Sequence, residues 1–233
     1  MCIRETMINS WFLPAKSFWQ SDPGLPWKSD FICPQAFGRN TFSDSEIGML
    51  IYMTFDTSDS DIEKFRWLES LGFDPGRPNK MIAKRCIQTA KLVGLFTNTT
   101  TKPVIGQWEV LYAIWLNDPH WYSRHRRQCI AVWPPIEGYL TTHAMLLEVK
   151  TIAEKRGLKK PCLIAHPEHI QRCFFIAMKV FERTVAVATN HGIEARDKGW
   201  FDRQSVQRWT QDPKYWLFYE MLARIHHRFH GWI

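Results

Sequence analysis

Residues 161–172 read Pro-Cys-Leu-Ile-Ala-His-Pro-Glu-His-Ile-Gln-Arg, and they decide the fold class. Pro161–Ala165 is short, apolar and free of charge, as a buried strand is. The sequence then turns polar at His166, and Pro167 with Glu168 suits the first turn of a helix. Glu168–Phe181 continues as that helix. A strand passing through a two- or three-residue turn into a helix is the repeating unit of a parallel sheet covered by helices.

The same alternation extends outward in both directions. Upstream, Thr141–Arg156 places Met145, Val149, Ile152 and Ala153 on one helical face, with Gly157 as its cap. Before it, Gln128–Trp133 predicts a strand stopped by Pro134-Pro135. Gln107–Leu116, Asn79–Leu95 and Ile62–Leu71 predict helices, the last following the cap-rich run Asp56–Asp61. Ile47–Phe55 is nine residues, apolar and without proline, and is expected to be a buried strand. Downstream, Thr184–Thr189 predicts a strand and Pro213–Phe229 a closing helix. Together these predict an α/β, Rossmann-like, mostly parallel sheet with helices on both faces, its ligand site beyond the carboxyl ends of the strands.

Residues 1–45 read differently. Pro14, Pro23, Pro26 and Pro34 punctuate scattered rings (Trp11, Phe12, Phe18, Trp19, Trp27, Phe31, Phe37) with no sustained period. They are expected to form an irregular extension that packs its aromatics on the domain at 46–233, or folds over a pocket as a lid.

Composition narrows the partners. A formal charge of +7 favours anionic ligands. The basic residues are scattered, however, without the basic–aromatic interleaving of a single-strand binder, so no specific nucleic-acid partner is expected. The six cysteines form no CxxC pair, which argues against a structural zinc site of the usual pattern. No signal peptide is visible, and no apolar run is long enough for a transmembrane segment. A cytoplasmic protein with free thiols is the expectation.

The chemistry centres on His166, Glu168, His169 and Arg172, at the carboxyl edge of the sheet. His169 and Arg172 are three apart and share a helical face. A helix N-terminus carries partial positive charge and free N–H groups, and Arg172 adds a two-pronged cation, so an anion fits there. Histidine suits acid–base work near neutral pH. With Arg172 adjacent, an organic anion is expected there and no tightly bound transition metal. Asp56, Asp59 and Asp61 also sit beyond an expected strand end, where they either hold a divalent cation or cap the next helix.

A strand, a small polar turn, and His169-x-x-Arg172 on the following helix resemble the YdcF/SanA/ElyC-like family, the bacterial domain of unknown function numbered 218. Gly138-Tyr-Leu-Thr-Thr142 is similar to that family's threonine-bearing helix start, and Gln107-Trp108-Glu109 to its acidic helix start. Arg228-x-x-Gly231-Trp232 resembles its tail. Asp56–Asp61 stands where the family has a glycine-rich turn. The resemblance spans roughly residues 47–233 and implies Glu109, Thr142, His169 and Arg172 as site residues.

The function expected is binding of, and action on, a small anionic or nucleotide-like metabolite. His169, His166 and Glu109 would be the catalytic residues, and Arg172, Thr142 and Glu168 the anion-binding ones. An adenosine-containing ligand such as S-adenosylmethionine is one candidate occupant. The alternatives are a non-catalytic ligand-binding protein and an envelope-related interaction protein.

Overall fold

Five short strands set the frame: β1 (Phe31–Pro34), β2 (Val104–Gln107), β3 (Cys129–Val132), β4 (Pro161–Ile164) and β5 (Ala186–Val187). They pair in the order β3-β2-β1-β4-β5, every pair parallel. The computed structural model describes residues 28–56, 60–97, 101–136, 140–182, 184–188 and 200–232. Among these, eight α-helices surround the sheet. Between β1 and β2 lie α1 (Asp44–Thr54), α2 (Asp61–Ser70) and α3 (Gly76–Thr97). Between β2 and β3 lie α4 (Trp108–Asn117) and α5 (Pro119–His125). Then come α6 (Thr142–Glu154), α7 (Ile170–Val180) and α8 (Pro213–Phe229). The architecture is an α/β, Rossmann-like parallel sheet.

Alternation along β1 divides the core. Ile32 joins one apolar cluster with Phe65, Ile82, Trp108 and Tyr112 from α2–α4. Phe31 and Cys33 point to the other face, with Met145 and Val149 of α6 and Phe174 and Ile176 of α7. Successive strand residues face opposite sides, so a four-residue strand covered on both sides is apolar throughout.

Two expectations are corrected. Ile47–Phe55 is not a strand: Asp44–Thr54 is helical. Ser43 and Glu46 form a capping box, and Ile47 and Ile51 are buried while Met49, Tyr52 and Met53 are exposed. That burial has the period of a helix, and the box was its available sign. The boundary at residue 45 is also wrong. Phe31–Pro34 is the central strand, flanked by β2 and β4, and residues 35–42 run on through the heart of the structure. Trp11, Phe12, Phe18, Trp19 and Trp27 lie outside the described residues. The structure also has a strand at Val104–Gln107 that the pattern did not reveal.

Gly106 lets β1 and β2 meet closely at their carboxyl ends. A Cβ there would come within 2.5 Å of the Pro34 carbonyl oxygen and 2.7 Å of its ring. From β1 the chain moves out through β2 to β3, then crosses back to β4 on the other side of β1. The direction of winding thus reverses between β1 and β4, where such sheets open a crevice. Two segments enter it: Gln35–Arg39 after β1 and Ala165–His169 after β4.

Candidate functional site

The turn after β4 is held by its own backbone: the amides of His169 and Ile170 both donate to the His166 carbonyl, at 2.9 Å. His166 is buried, and its ring stacks on Phe37 with centroids 3.6 Å apart. Its Nδ1 accepts from the Glu168 amide at 3.1 Å, and its Nε2 donates to the Trp200 carbonyl at 3.0 Å. Those partners require the neutral ring with its proton on Nε2. Burial pulls its pKa down to about 3, against a smaller upward pull from the Trp200 carbonyl. His166 is therefore a fastener between the β4 turn and the segment at Trp200. Both of its nitrogens are engaged by backbone groups, whereas an acid–base role was expected of it.

His169 is the N-cap residue of α7 and is buried. Its Nδ1 lies 3.2 Å from Arg172 Nη2. A guanidinium only donates, so Nδ1 is the acceptor and the neutral ring carries its proton on Nε2. Burial, then the charge of Arg172, holds the imidazole well below its ordinary pKa. Arg172 is buried one turn into α7, and its Nε lies 2.9 Å from Glu220 Oε2 of α8. Its guanidinium also lies against the Trp216 and Tyr219 rings, 5.8 and 5.6 Å from their centroids. Glu220 Oε1 accepts from Arg224 Nε at 2.9 Å, and Arg224 Nη2 donates to Gln171 Oε1 at 3.0 Å. One carboxylate thus spans two buried guanidinium groups.

His169 and Arg172 border a shallow cleft that opens to solvent. Phe37 and Gly38 after β1, Gln107 ending β2, Thr142 of α6, and His169 and Arg172 form one side. Trp209, Thr210, Trp216 and Tyr219 form the other. Thr142 arrives there because Thr141 caps α6, its Oγ1 accepting from the Ala144 amide at 3.1 Å. Gly38 has a φ of 70°, and a Cβ on it would strike the Thr210 and Ser205 hydroxyls. That close approach seats the segment at 205–210 against the β1 loop, where the Val206 amide donates to the Arg39 carbonyl at 2.7 Å.

Of the residues anticipated from sequence, Thr142, His169 and Arg172 share this cleft. Glu109, His166 and Glu168 are not among the described residues lining it. Glu109 is buried at the start of α4 and ion-pairs with Arg39, Oε1 to Nη1 at 2.7 Å. This pair joins the start of α4 to the β1 loop. Glu168 contributes its amide to His166. Asp61 accepts from the Ala131 amide and Trp133 Nε1, tying α2 to the end of β3. Ser60, not an aspartate, caps α2, in a box with Glu63. Asp56 is exposed and Asp59 lies outside the described residues. Phe37, Trp209, Trp216, Tyr219, Glu220 and Arg224 were missed, since nothing in the local pattern links residues so far apart in sequence.

Buried neutral histidines make stability depend on pH. His166 in the fold holds its proton only near pH 3, whereas the unfolded side chain titrates near 6.5. Between those values the unfolded chain binds more protons. Stability is therefore fully present above about pH 6.5 and is lost as pH falls toward 3, by about 1.4 kcal/mol per pH unit for each such imidazole. His169 and His227 are shifted in the same direction. Denaturant melts across this range should show falling stability below pH 6.5. A curve flat down to pH 5 would contradict the buried neutral rings.

No family model, curated protein or solved structure matches this chain. No helix among the described residues is long and apolar enough to cross a membrane.

Proposed function

We propose that this chain binds a small organic anion in the cleft between the carboxyl ends of β1 and β4. The observation that carries this reading is Arg172, buried and bordering that cleft at the switch point of the sheet. The start of α6 at Thr142 adds the partial positive charge of a helix N-terminus to the same cleft. Kinship with the YdcF-like family belongs to this proposal, on the spacing of His169 and Arg172 after a parallel strand. So does a cytoplasmic location.

A catalytic and a purely binding protein would share this cleft. The engaged nitrogens of His166 and the acceptor role of His169 Nδ1 favour binding, because neither ring offers a ready basic nitrogen. The test is thermal stabilisation by a panel of organic acids, phosphates and nucleotides, S-adenosylmethionine among them, followed by analysis of the incubated ligand for product. Arg172→Met keeps an apolar stem beside Trp216 and leaves Glu220 paired with Arg224. It should abolish stabilisation by any ligand that raises the melting temperature of the parent protein. Undiminished stabilisation of the variant would remove Arg172 from the site.

A further inference from the structure

The outward side of α8 departs from the rule that a surface helix is polar where it faces water. Tyr215, Phe218, Leu222 and Phe229 are all exposed, Phe218 by 62 % and Phe229 by 86 %. The partly buried Ile225 completes their line at alternating spacings of three and four residues. At roughly 100° per residue, the five side chains fall within about 80° of one another along about 21 Å of helix. Trp216, Glu220, Ala223, Arg224 and His227 take the opposite side and are buried. The one acidic residue of α8, Glu220, is thus on the buried side, between Arg172 and Arg224. Single exposed apolar residues are ordinary, but a continuous line of three rings and two aliphatic chains marks a contact surface.

The surroundings of this stripe select its occupant. Lys214 and Arg228 border it on one side and His226 on the other, all three exposed. The Arg208 guanidinium lies 5.3 Å from the Tyr215 ring centroid, at the first turn of the stripe. Asp212 caps the helix start, its carboxylate accepting from the Lys214 amide at 2.7 Å. A second copy of α8 would bring these cations against its own, which opposes pairing between copies. A folded partner would have to supply a groove, because the outward side of a helix is convex. An anionic bilayer supplies both a negative surface and an apolar layer that yields around protruding rings. Lysine and arginine stems suit that boundary, with their charged heads at the phosphates. The far end of α8 is also fastened. The Trp232 ring stacks on His143 of α6 with centroids 4.4 Å apart, and Lys179 Nζ donates to the Gly231 carbonyl at 2.8 Å.

We infer that α8 lies along an anionic lipid surface. Tyr215, Phe218, Leu222, Ile225 and Phe229 enter the boundary between headgroups and acyl chains, and Arg208, Lys214 and Arg228 meet the lipid phosphates. The helix rests in the interface, being neither long nor apolar enough to cross it. Trp216, which borders the cleft, is on its other side, so this attachment is independent of the anion site.

The test is co-sedimentation of the full chain with vesicles of phosphatidylcholine, alone or with about one third phosphatidylglycerol. The mixed vesicles should bind the protein at least about fivefold more tightly, and added salt should weaken that binding. Phe218→Ser with Phe229→Ser should weaken it by about tenfold or more. Lys214→Gln with Arg228→Gln should weaken it by about tenfold. All four positions are exposed, so urea denaturation should return the stability of the parent. Should the serine pair not fold, Leu222→Glu, which sets a negative charge in the middle of the stripe, should abolish binding instead. Binding to mixed vesicles that survives these apolar substitutions overturns the inference, as does equal binding to both kinds of vesicle. Binding to neither overturns it in favour of a protein partner. In that case, self-association in analytical sedimentation that the serine pair removes would give the stripe to a second copy.

Discussion

Glu220→Ala should cost this protein about 3–5 kcal/mol, enough to leave much of it unfolded near room temperature. Glu220 is 1 % exposed and joins Arg172 and Arg224, themselves almost fully buried. Removing it takes away the carboxylate that spans the buried guanidinium groups of Arg172 on α7 and Arg224 on α8. Such a loss exceeds the net worth of the ion pairs, because buried charges left without their carboxylate are poorly compensated. Arg224→Met should cost much less, since Glu220 keeps Arg172 and the charge count improves. The comparison is made by urea denaturation of both variants. Equal losses would mean that packing, not uncompensated charge, governs this layer.

Glu109→Ala should be of similar size, about 3–5 kcal/mol, by the same mechanism at a different place. Arg39 and Glu109 are both buried, 2.7 Å apart, and the Arg39 Nε also donates to the Phe42 carbonyl at 2.8 Å. The pair fixes the loop that follows β1, and that loop carries Phe37 and Gly38 into the cleft. Ligand binding by this variant should therefore weaken in step with its lost stability, and conditions that restore the fold should restore binding. A variant as stable as its parent but unable to bind would return Glu109 to the site itself.

Much of the fold was legible because its signals are local. Pro213–Phe229 matches its expected bounds, since Asp212 caps it and Pro213 occupies its first turn. Ile47–Phe55 misled because a short apolar run has no periodicity of its own, and only the capping box settles it. Phe31–Pro34 was hidden by length: four residues, the last of them a proline, carry too little pattern, and their burial comes from partners elsewhere. In the site, the spacing of His169 and Arg172 was readable on one helix. The ion pair of Arg172 with Glu220 and the stacking of Phe37 on His166 arise from tertiary approach and leave no trace in spacing.

The central position of β1 also shapes how the chain acquires its structure. Phe31 pairs with Pro161 and Ile32 with Val104, so β1, the first strand among the described residues, waits longest for its second neighbour. Pairings of such long sequence range are slow to form, because loop closure must precede any gain from contact. Until β4 is synthesised, one edge of an apolar strand stays open to wrong partners, including other copies of itself. Yield during expression is thus expected to depend more on chaperone supply and temperature than the native contacts alone would suggest.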